Sequence, residues 1–528
     1  MKSRRVSYGL VLVVLFVLIA NVWVVSVSDI RNVILMIPDG TSVSHITLSR
    51  WFAPSNRLAM DEIVTGLVKT HWTDGTITDS SASATAFSTG NKTNIGCVGV
   101  IPVCDDSGCK YKRPVATLSE AADRQGKSVG IVCTSNLSDA TPACFSSHVN
   151  NRKQRDTISE QQVYSGIDVF LGGGSQWYFC GDEKYNRRDG RVLKDEIVDM
   201  GYHFVTDKKS MLSSTSDKLW GAFAPVEIPI DDASMPTLSE MTKKSLDVLS
   251  RNKKGFFLMV EGSKIDWASH YNDTSEVIKE VLAFDDAVRV ALDFAKSRED
   301  TVVIVCPDHG NGGLSIGEDT LGNSYKNHNL KMLTNTMDKV RTCTKRVMKR
   351  LNKDLSNLRL VLEEEMGIQD LTWQEEEYIK KDTGMNRGTR INRVISKRIG
   401  VAWTTQGHTG EDVFMCCYHP KGEVLHGVHD NVDISTYIQK VCGFDLATLT
   451  DELFVRAKDE FLKKGCKLEE EENELVVIKG DNQLRLPYNK NIGYVNGEKI
   501  KLDGINIYTD CELYVSRKTL SLVNNIGK

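Results

Sequence analysis

Past its first thirty residues the chain alternates short, continuous apolar runs with stretches of helical period. Residues 33–37, 128–133, 169–171, 256–260, 301–305 and 413–417 read as strands rich in Val, Ile, Leu and Phe. Runs that are apolar throughout, rather than at every second position, belong to strands covered on both faces. Between them, residues 81–89 read as a small-residue helix closed by Gly90. Thr274–Lys296 reads as a long helix with Val277, Val281, Phe284, Val288 and Ala291 along one face. The alternation predicts an α/β fold: a largely parallel central sheet with helices on both faces. Gly172-Gly173-Gly174 lacks the Lys-Ser/Thr of a phosphate-binding P-loop and reads as a turn after a strand.

Two regions break this rhythm. Residues 330–397 are strongly charged and almost wholly helical in pattern, as expected of an insertion in a main domain spanning 29–445. Residues 446–528 form an accessory module, β-rich from 475 onward, with turns at Lys479-Gly480-Asp481, Val495-Asn496-Gly497 and Asp503-Gly504. Residues 484–523 faintly resemble a small β-module of copper amine oxidases and bacterial surface proteins. The acidic patch at 469–472 reads as a solvated turn.

The start of the chain has a different character. Lys2, Arg4 and Arg5 precede an apolar run over residues 8–27, the pattern of an export signal occupying 1–28 with cleavage near 26–28. A run of about 20 apolar residues also suffices to span a bilayer, so an uncleaved N-terminal anchor is the alternative. Either way the protein is expected to be exported: periplasmic, secreted or at the cell surface. The net charge of −4 argues against nucleic acid as a specific partner. Thirteen cysteines cannot all pair within one chain. Cys133, Cys306, Cys416 and Cys417 lie in strand-like runs and pack there as small apolar groups. Cys104 and Cys109 flank a turn and suit a disulfide better than a Cys-only metal site, which has no second cluster to complete it.

The chemistry gathers at the carboxyl ends of the strands, where open α/β sheets place their functional groups. Asp39 ends the first strand, Glu261 the fourth, and Asp308-His309 follow the fifth. Asp266 and His270 share one face of a helical turn, and His408 precedes the last strand. Singly, such pairs are more often surface decoration. Five such pieces, single residues and pairs together, at or near strand ends are hard to explain that way. Converging carboxylates cannot all stay ionised without cations, and mixed Asp/His sets suit zinc while all-oxygen sets suit magnesium. Ser80 has two readings. One is an ordinary Ser/Ala helix start, with Asp79 or Ser80 as N-cap. The other is a nucleophile at the positive end of a helix dipole.

Asp79-Ser80-Ser81-Ala82-Ser83-Ala84-Thr85-Ala86 with Asn91-Lys92-Thr93 resembles the nucleophile segment of the alkaline phosphatase family. Asp139-Ala140-Thr141-Pro142-Ala143, Val260-Glu261-Gly262 with Asp266 and His270, Asp308-His309, and His408-Thr409-Gly410-Glu411-Asp412 resemble its metal-site segments. They stand in the family's order across residues 32 to about 445. The resemblance implies two zinc ions, one held by Asp266, His270 and His408, the other by Asp39, Asp308 and His309 with Ser80. It implies a magnesium ion, or another divalent metal, on Asp39, Thr141 and Glu261, and a phosphate clamp at Arg152. The implied reaction is hydrolysis of small-molecule phosphate monoesters through a phosphoserine on Ser80, with broad specificity. A homodimer and a membrane or cell-surface association are left open. Trp267 stands where several relatives carry Lys or His, which bears on phosphate affinity, pH optimum and the third metal. A phosphodiesterase, phosphomutase or sulfatase on the same metal core is the alternative within catalysis; Asp79-Ser80 together with Arg152 favours monoesters. A binding protein that has kept the scaffold is disfavoured by the full set of ligands.

Overall fold

A computed structural model describes residues 30–105, 108–178, 187, 189–318, 330–381 and 383–523. The proposed signal or anchor, 1–28, lies outside them. The six predicted strands and four more build one ten-stranded sheet. From edge to edge its order is Gly427–Asp430, Val64–Lys69, Val413–Tyr418, Thr301–Val305, Asn32–Pro38, Phe256–Gly262, Ser128–Asn136, Val169–Gly173, Leu219–Ala222 and His203–Val205. Every pairing is parallel except those of Val413–Tyr418, which runs antiparallel to both neighbours. The predicted α/β class, with its mostly parallel sheet, is what the structure shows. Of the four strands missing from the sequence reading, three have only three or four residues, and Val64–Lys69 and Gly427–Asp430 near one edge are largely uncovered. Continuous apolar runs form only where both faces are covered.

The central strand sorts its side chains by the period of two. Ile34 and Met36 join the core on one face, with Phe284 and Val288 of the Thr274–Lys296 helix. Val33, Leu35 and Ile37 join the other, with Phe87 of the Ser80–Thr89 helix. Val277, Val281, Phe284 and Val288 are fully buried; each such side chain is worth ~1.5–3 kcal/mol relative to exposure. The register places the chemistry. Ile37 lies opposite Glu261, Met36 opposite Val305, and Cys133 opposite Glu261. Four adjacent parallel strands therefore end at one level, so Glu261 at the end of its strand, Asp39 and Asp308 just beyond theirs, and Thr141 in the short helix Ala140–Cys144 lie toward the same edge.

The insertion folds as the helices Leu330–Met337, Thr344–Arg350, Leu358–Met366, Trp373–Lys380 and Arg387–Arg398. Leu333, Val347, Leu362 and Ile395 extend the core around the long helix. The C-terminal segment forms a five-stranded antiparallel sheet and a three-stranded one over a small core of its own. The helix Leu446–Leu453 instead packs Leu446, Leu449 and Leu453 into the core of the main sheet. The module is fastened by Arg124 on Asp503 at 2.7 Å, by Asn491 Nδ2 donating to the Tyr164 carbonyl at 2.8 Å, and by Gln161 Nε2 donating to Asn489 at 2.9 Å. The acidic patch is not a turn throughout: Glu469–Glu471 belong to the edge strand Lys467–Glu471. Exposed charges on an edge strand discourage pairing with other chains.

Cys104 and Cys109 are cross-strand partners in the hairpin of Val100–Asp105 and Gly108–Pro114, and are disulfide-bonded. Cys133, Cys306, Cys416 and Cys417 are buried free thiols. Among the described residues no helix is long and apolar enough to cross a membrane.

Candidate active site

The helix Ser80–Thr89 is buried at every position, which its run of Ser, Ala and Thr makes sterically feasible. Asp79 is its N-cap, accepting from the Ala82 N–H at 3.0 Å. Ser80 is therefore the first helical residue and its hydroxyl is not used as a cap. Instead Ser80 Oγ lies 3.3 Å from His309 Nε2, at the end where the helix's unpaired N–H groups favour anions. At the other end Gly90 adopts φ +72° and stops the helix.

Five of the predicted ligands converge beside this serine. Asp39, Asp308 and His309 bring one donor atom each within 4.8 Å of one another, and so do Asp266, His309 and His408. His309 Nε2 is 3.1 Å from Asp308 Oδ2 and 3.6 Å from Asp39 Oδ1. His270 and His408 point Nε2 at opposite oxygens of Asp266, at 3.3 and 3.5 Å. His309 thus belongs to both groupings, and His270 adjoins the second through Asp266. His270 touches Asp266 from the rim, with its side chain 37% exposed.

Two observations test whether these residues fit metal ions. Each histidine has its Nδ1 on a backbone carbonyl: His270 on Gln406 at 2.6 Å, His408 on Thr78 at 2.8 Å, His309 on Gly310 at 3.2 Å. A carbonyl only accepts, so Nδ1 carries the hydrogen and the Nε2 lone pair is presented to the cluster. Asp39 Oδ1, Asp308 Oδ2, Thr141 Oγ1 and Glu261 Oε2 are buried without a hydrogen-bond partner among the described residues. Buried carboxylate oxygens in that state are costly unless a cation faces them. Both donor sets fit.

The electrostatics agree. Burial, then Asp308, Asp266 and Glu261, push Asp39 well above the usual carboxylate range. Burial first, with Asp139 and Asp308 adding to it, pushes Glu261 up to about 8. Burial also opposes charge on Asp308 and Asp266, but the histidines beside them outweigh it and hold both low. A cluster that holds some acids high and others low has more negative charge than its own side chains can balance.

Arg152 reaches the nucleophile through Asp79. Its guanidinium donates to Asp79 Oδ2 at 3.1 Å and to Asp139 Oδ1 at 3.3 Å. Arg155 donates to the same Asp139 oxygen at 3.2 Å. Burial opposes ionisation of Asp139, yet Arg155 and Arg152 keep it below its ordinary range. His148, four residues before Arg152, is engaged elsewhere. It pairs with Glu120 at 3.2 Å and packs edge-on against Phe454.

Sequence reasoning missed four contributors: Arg155, the grip of Asp79 on Arg152, Asn311 and Gly40. Asn311 Nδ2 donates to Asp266 Oδ1 at 2.6 Å. Gly40 has φ +65°, and a Cβ there would lie 2.6 Å from Asp266 Oδ1. A glycine directly after a strand-end aspartate was the one available signal.

Carboxylates and imidazoles arranged around a serine, at the carboxyl ends of a doubly covered sheet, define a metal-dependent α/β enzyme. The chain belongs to the alkaline phosphatase family, whose sequence model, "Alkaline phosphatase", matches residues 30–444. It is 34% identical to alkaline phosphatase 3 of Bacillus subtilis over 439 residues, covering 79% of this chain and 90% of that one. Among solved structures it is similar to a cold-active alkaline phosphatase of Shewanella sp. (TM-score 0.67, 30% identity, 78% of this chain and 99% of that one). It is likewise similar to the Thermus thermophilus alkaline phosphatase (TM-score 0.69, 25% identity, 79% and 92%). The protein is a phosphatase, and the family resemblance read from its motifs holds.

Proposed function

We propose that the protein is exported and hydrolyses phosphate monoesters to an alcohol and inorganic phosphate through a phosphoserine on Ser80. Asp39, Asp308 and His309, with Ser80, would hold one zinc ion, and Asp266, His270 and His408 a second. Asp39, Thr141 and Glu261 would hold magnesium. When bound, these cations supply the charge that favours an ionised serine and a departing alkoxide, and lower the pKa of water. The protein's own part starts at Ser80. Its hydroxyl gives up a proton and Oγ bonds phosphorus as the bond to the ester oxygen breaks, releasing the alcohol. Water then attacks the phosphoserine, breaking its Oγ–P bond and restoring the hydroxyl. Arg152, held by Asp79 and Asp139, offers paired N–H groups to two phosphate oxygens through both steps.

The observation that carries this reading is the Ser80 hydroxyl, free of any capping role, 3.3 Å from His309 at a helix N-terminus. It favours monoesters because Arg152 and the helix N-terminus both recognise terminal phosphate oxygens. The test is parallel turnover of an aryl phosphate, its methyl diester and its sulfate. The monoester is expected to be fastest; faster diester or sulfate cleavage would overturn the assignment. A second expectation concerns Arg152→Lys. A lysine cannot present two parallel N–H groups, so KM for the monoester and the inhibition constant of inorganic phosphate should both rise about tenfold or more, the ~1.4 kcal/mol of one lost charged contact. Unchanged product inhibition would remove Arg152 from phosphate binding.

A further inference from the structure

Beside the site, and sharing His270 with it, lies a cavity of about 620 Å³. That size accommodates a sizeable organic group. One wall is Trp267 and Tyr271, on and just after the Lys264–His270 helix that carries Asp266. The other is Lys345 and Met348, on the Thr344–Arg350 helix of the insertion. Tyr271 is exposed and Trp267 partly so, so aromatic surface and a thioether face the space between them. Lys345 Nζ stands 5.9 Å from the Trp267 ring centre and pairs with Glu227. The wall is thus aromatic, with the Lys345 cation over the indole and Lys264, Asp273 and Glu276 completing the lining, and its aromatic surface is suited to stacking a ring.

Its position relative to the nucleophile assigns it a role. Phosphoryl transfer keeps the attacking and leaving oxygens roughly in line across phosphorus. Ser80 Oγ is 3.3 Å from His309 Nε2, the His309 ring stacks on His408 with centres 3.7 Å apart, and His408 is 5.1 Å from His270. The three imidazoles lead outward from the nucleophile to His270 at the cavity. An alcohol leaving opposite Ser80 along that row of rings would enter the cavity.

We propose that this cavity receives the alcohol part of the ester, and that Trp267 and Met348 select alcohols bearing a flat aromatic group over small polyols. The inference rests on the phosphomonoesterase reading with Ser80 as nucleophile. An indole offers no charge to phosphate but does offer a face to a ring, and the insertion supplies the opposite wall.

The test compares adenosine 5′-phosphate with glycerol 3-phosphate. Both are primary alkyl esters, so the ratio of their kcat/KM values reports recognition of the alcohol rather than leaving-group chemistry. The wild type is expected to prefer the nucleotide. Trp267→Ala, and on the opposite wall the space-filling Met348→Trp, should each lower the ratio at least tenfold, through KM for the nucleotide more than kcat. Adenosine alone, titrated calorimetrically into the protein with and without metal, should bind the wild type and lose its binding in both variants. An unchanged ratio, or no adenosine binding to the wild type, overturns the proposal; Met348→Trp decides alone if Trp267→Ala does not fold. A wild type that binds adenosine but cleaves neither ester overturns the phosphomonoesterase reading instead.

Discussion

Ser80→Ala is expected to retain its fold and metal ions while losing at least ~10³-fold in kcat/KM for phosphate monoesters, about 4 kcal/mol of barrier lowering. The retained fold follows from the local structure. Asp79, not Ser80, caps the helix, and alanine is the best helix former among residues of that size. The loss follows from chemistry, since alanine has no oxygen to receive the phosphoryl group. Arg152, the ligands and the helix N-terminus would remain and still hold a phosphate, so inorganic phosphate should bind the variant. Rapid quenching with a 32P-labelled ester should trap label on the wild type at acid pH and none on the variant. Label on Ser80→Ala, or activity within tenfold of wild type, would assign the nucleophile elsewhere.

Removing the metals should have the other large effect, on stability as well as activity. A ligand bound only to the folded chain stabilises it by ~4 kcal/mol at a thousand times its dissociation constant, so a chelator should lower Tm and abolish turnover, with zinc and magnesium restoring both. The loss should also depend on pH. Asp39 and Glu261 are raised in the folded chain, Glu261 to about 8, against unfolded values of roughly 3.9 and 4.3. A raised carboxyl keeps its proton longer when folded. The stability it contributes is full below the unfolded value and is lost as pH rises through the folded one. The metal-free protein should therefore lose stability between about pH 4.5 and 8, and added metal should stabilise most at the upper end. Calorimetric Tm over that range, with and without metal, gives the comparison. A metal increment that shrinks as pH rises would contradict a cation site built on these carboxylates.

Much of the site was legible because parallel sheets write their chemistry at one place in each repeat. Asp39, Glu261 and Asp308 each close an apolar run, and those runs are recognisable because burial on both faces demands them. The strands at 64–69 and 427–430 carried no such signal; they lie near an edge where polar residues cost nothing. The strand at 467–471 was hidden by its own charges, which an exposed edge tolerates.

Sequence alone determined the α/β class, the family, the residue types of the acid and imidazole cluster and the candidate nucleophile. Each of these depends on local pattern or on side-chain chemistry. Whether Ser80 or Asp79 caps the helix was decided only by tertiary structure, because the choice turns on which oxygen faces the Ala82 N–H and which faces His309. The same holds for Arg155 and Asn311, whose roles come from reaching Asp139 and Asp266 across loops, and for Gly40, whose missing side chain leaves room for Asp266. It holds too for the cavity walled by Trp267 and Met348, residues far apart in the chain that face each other only because the insertion packs on the long helix. A side chain's type is written in the sequence, but its partner is set by the closing of the fold.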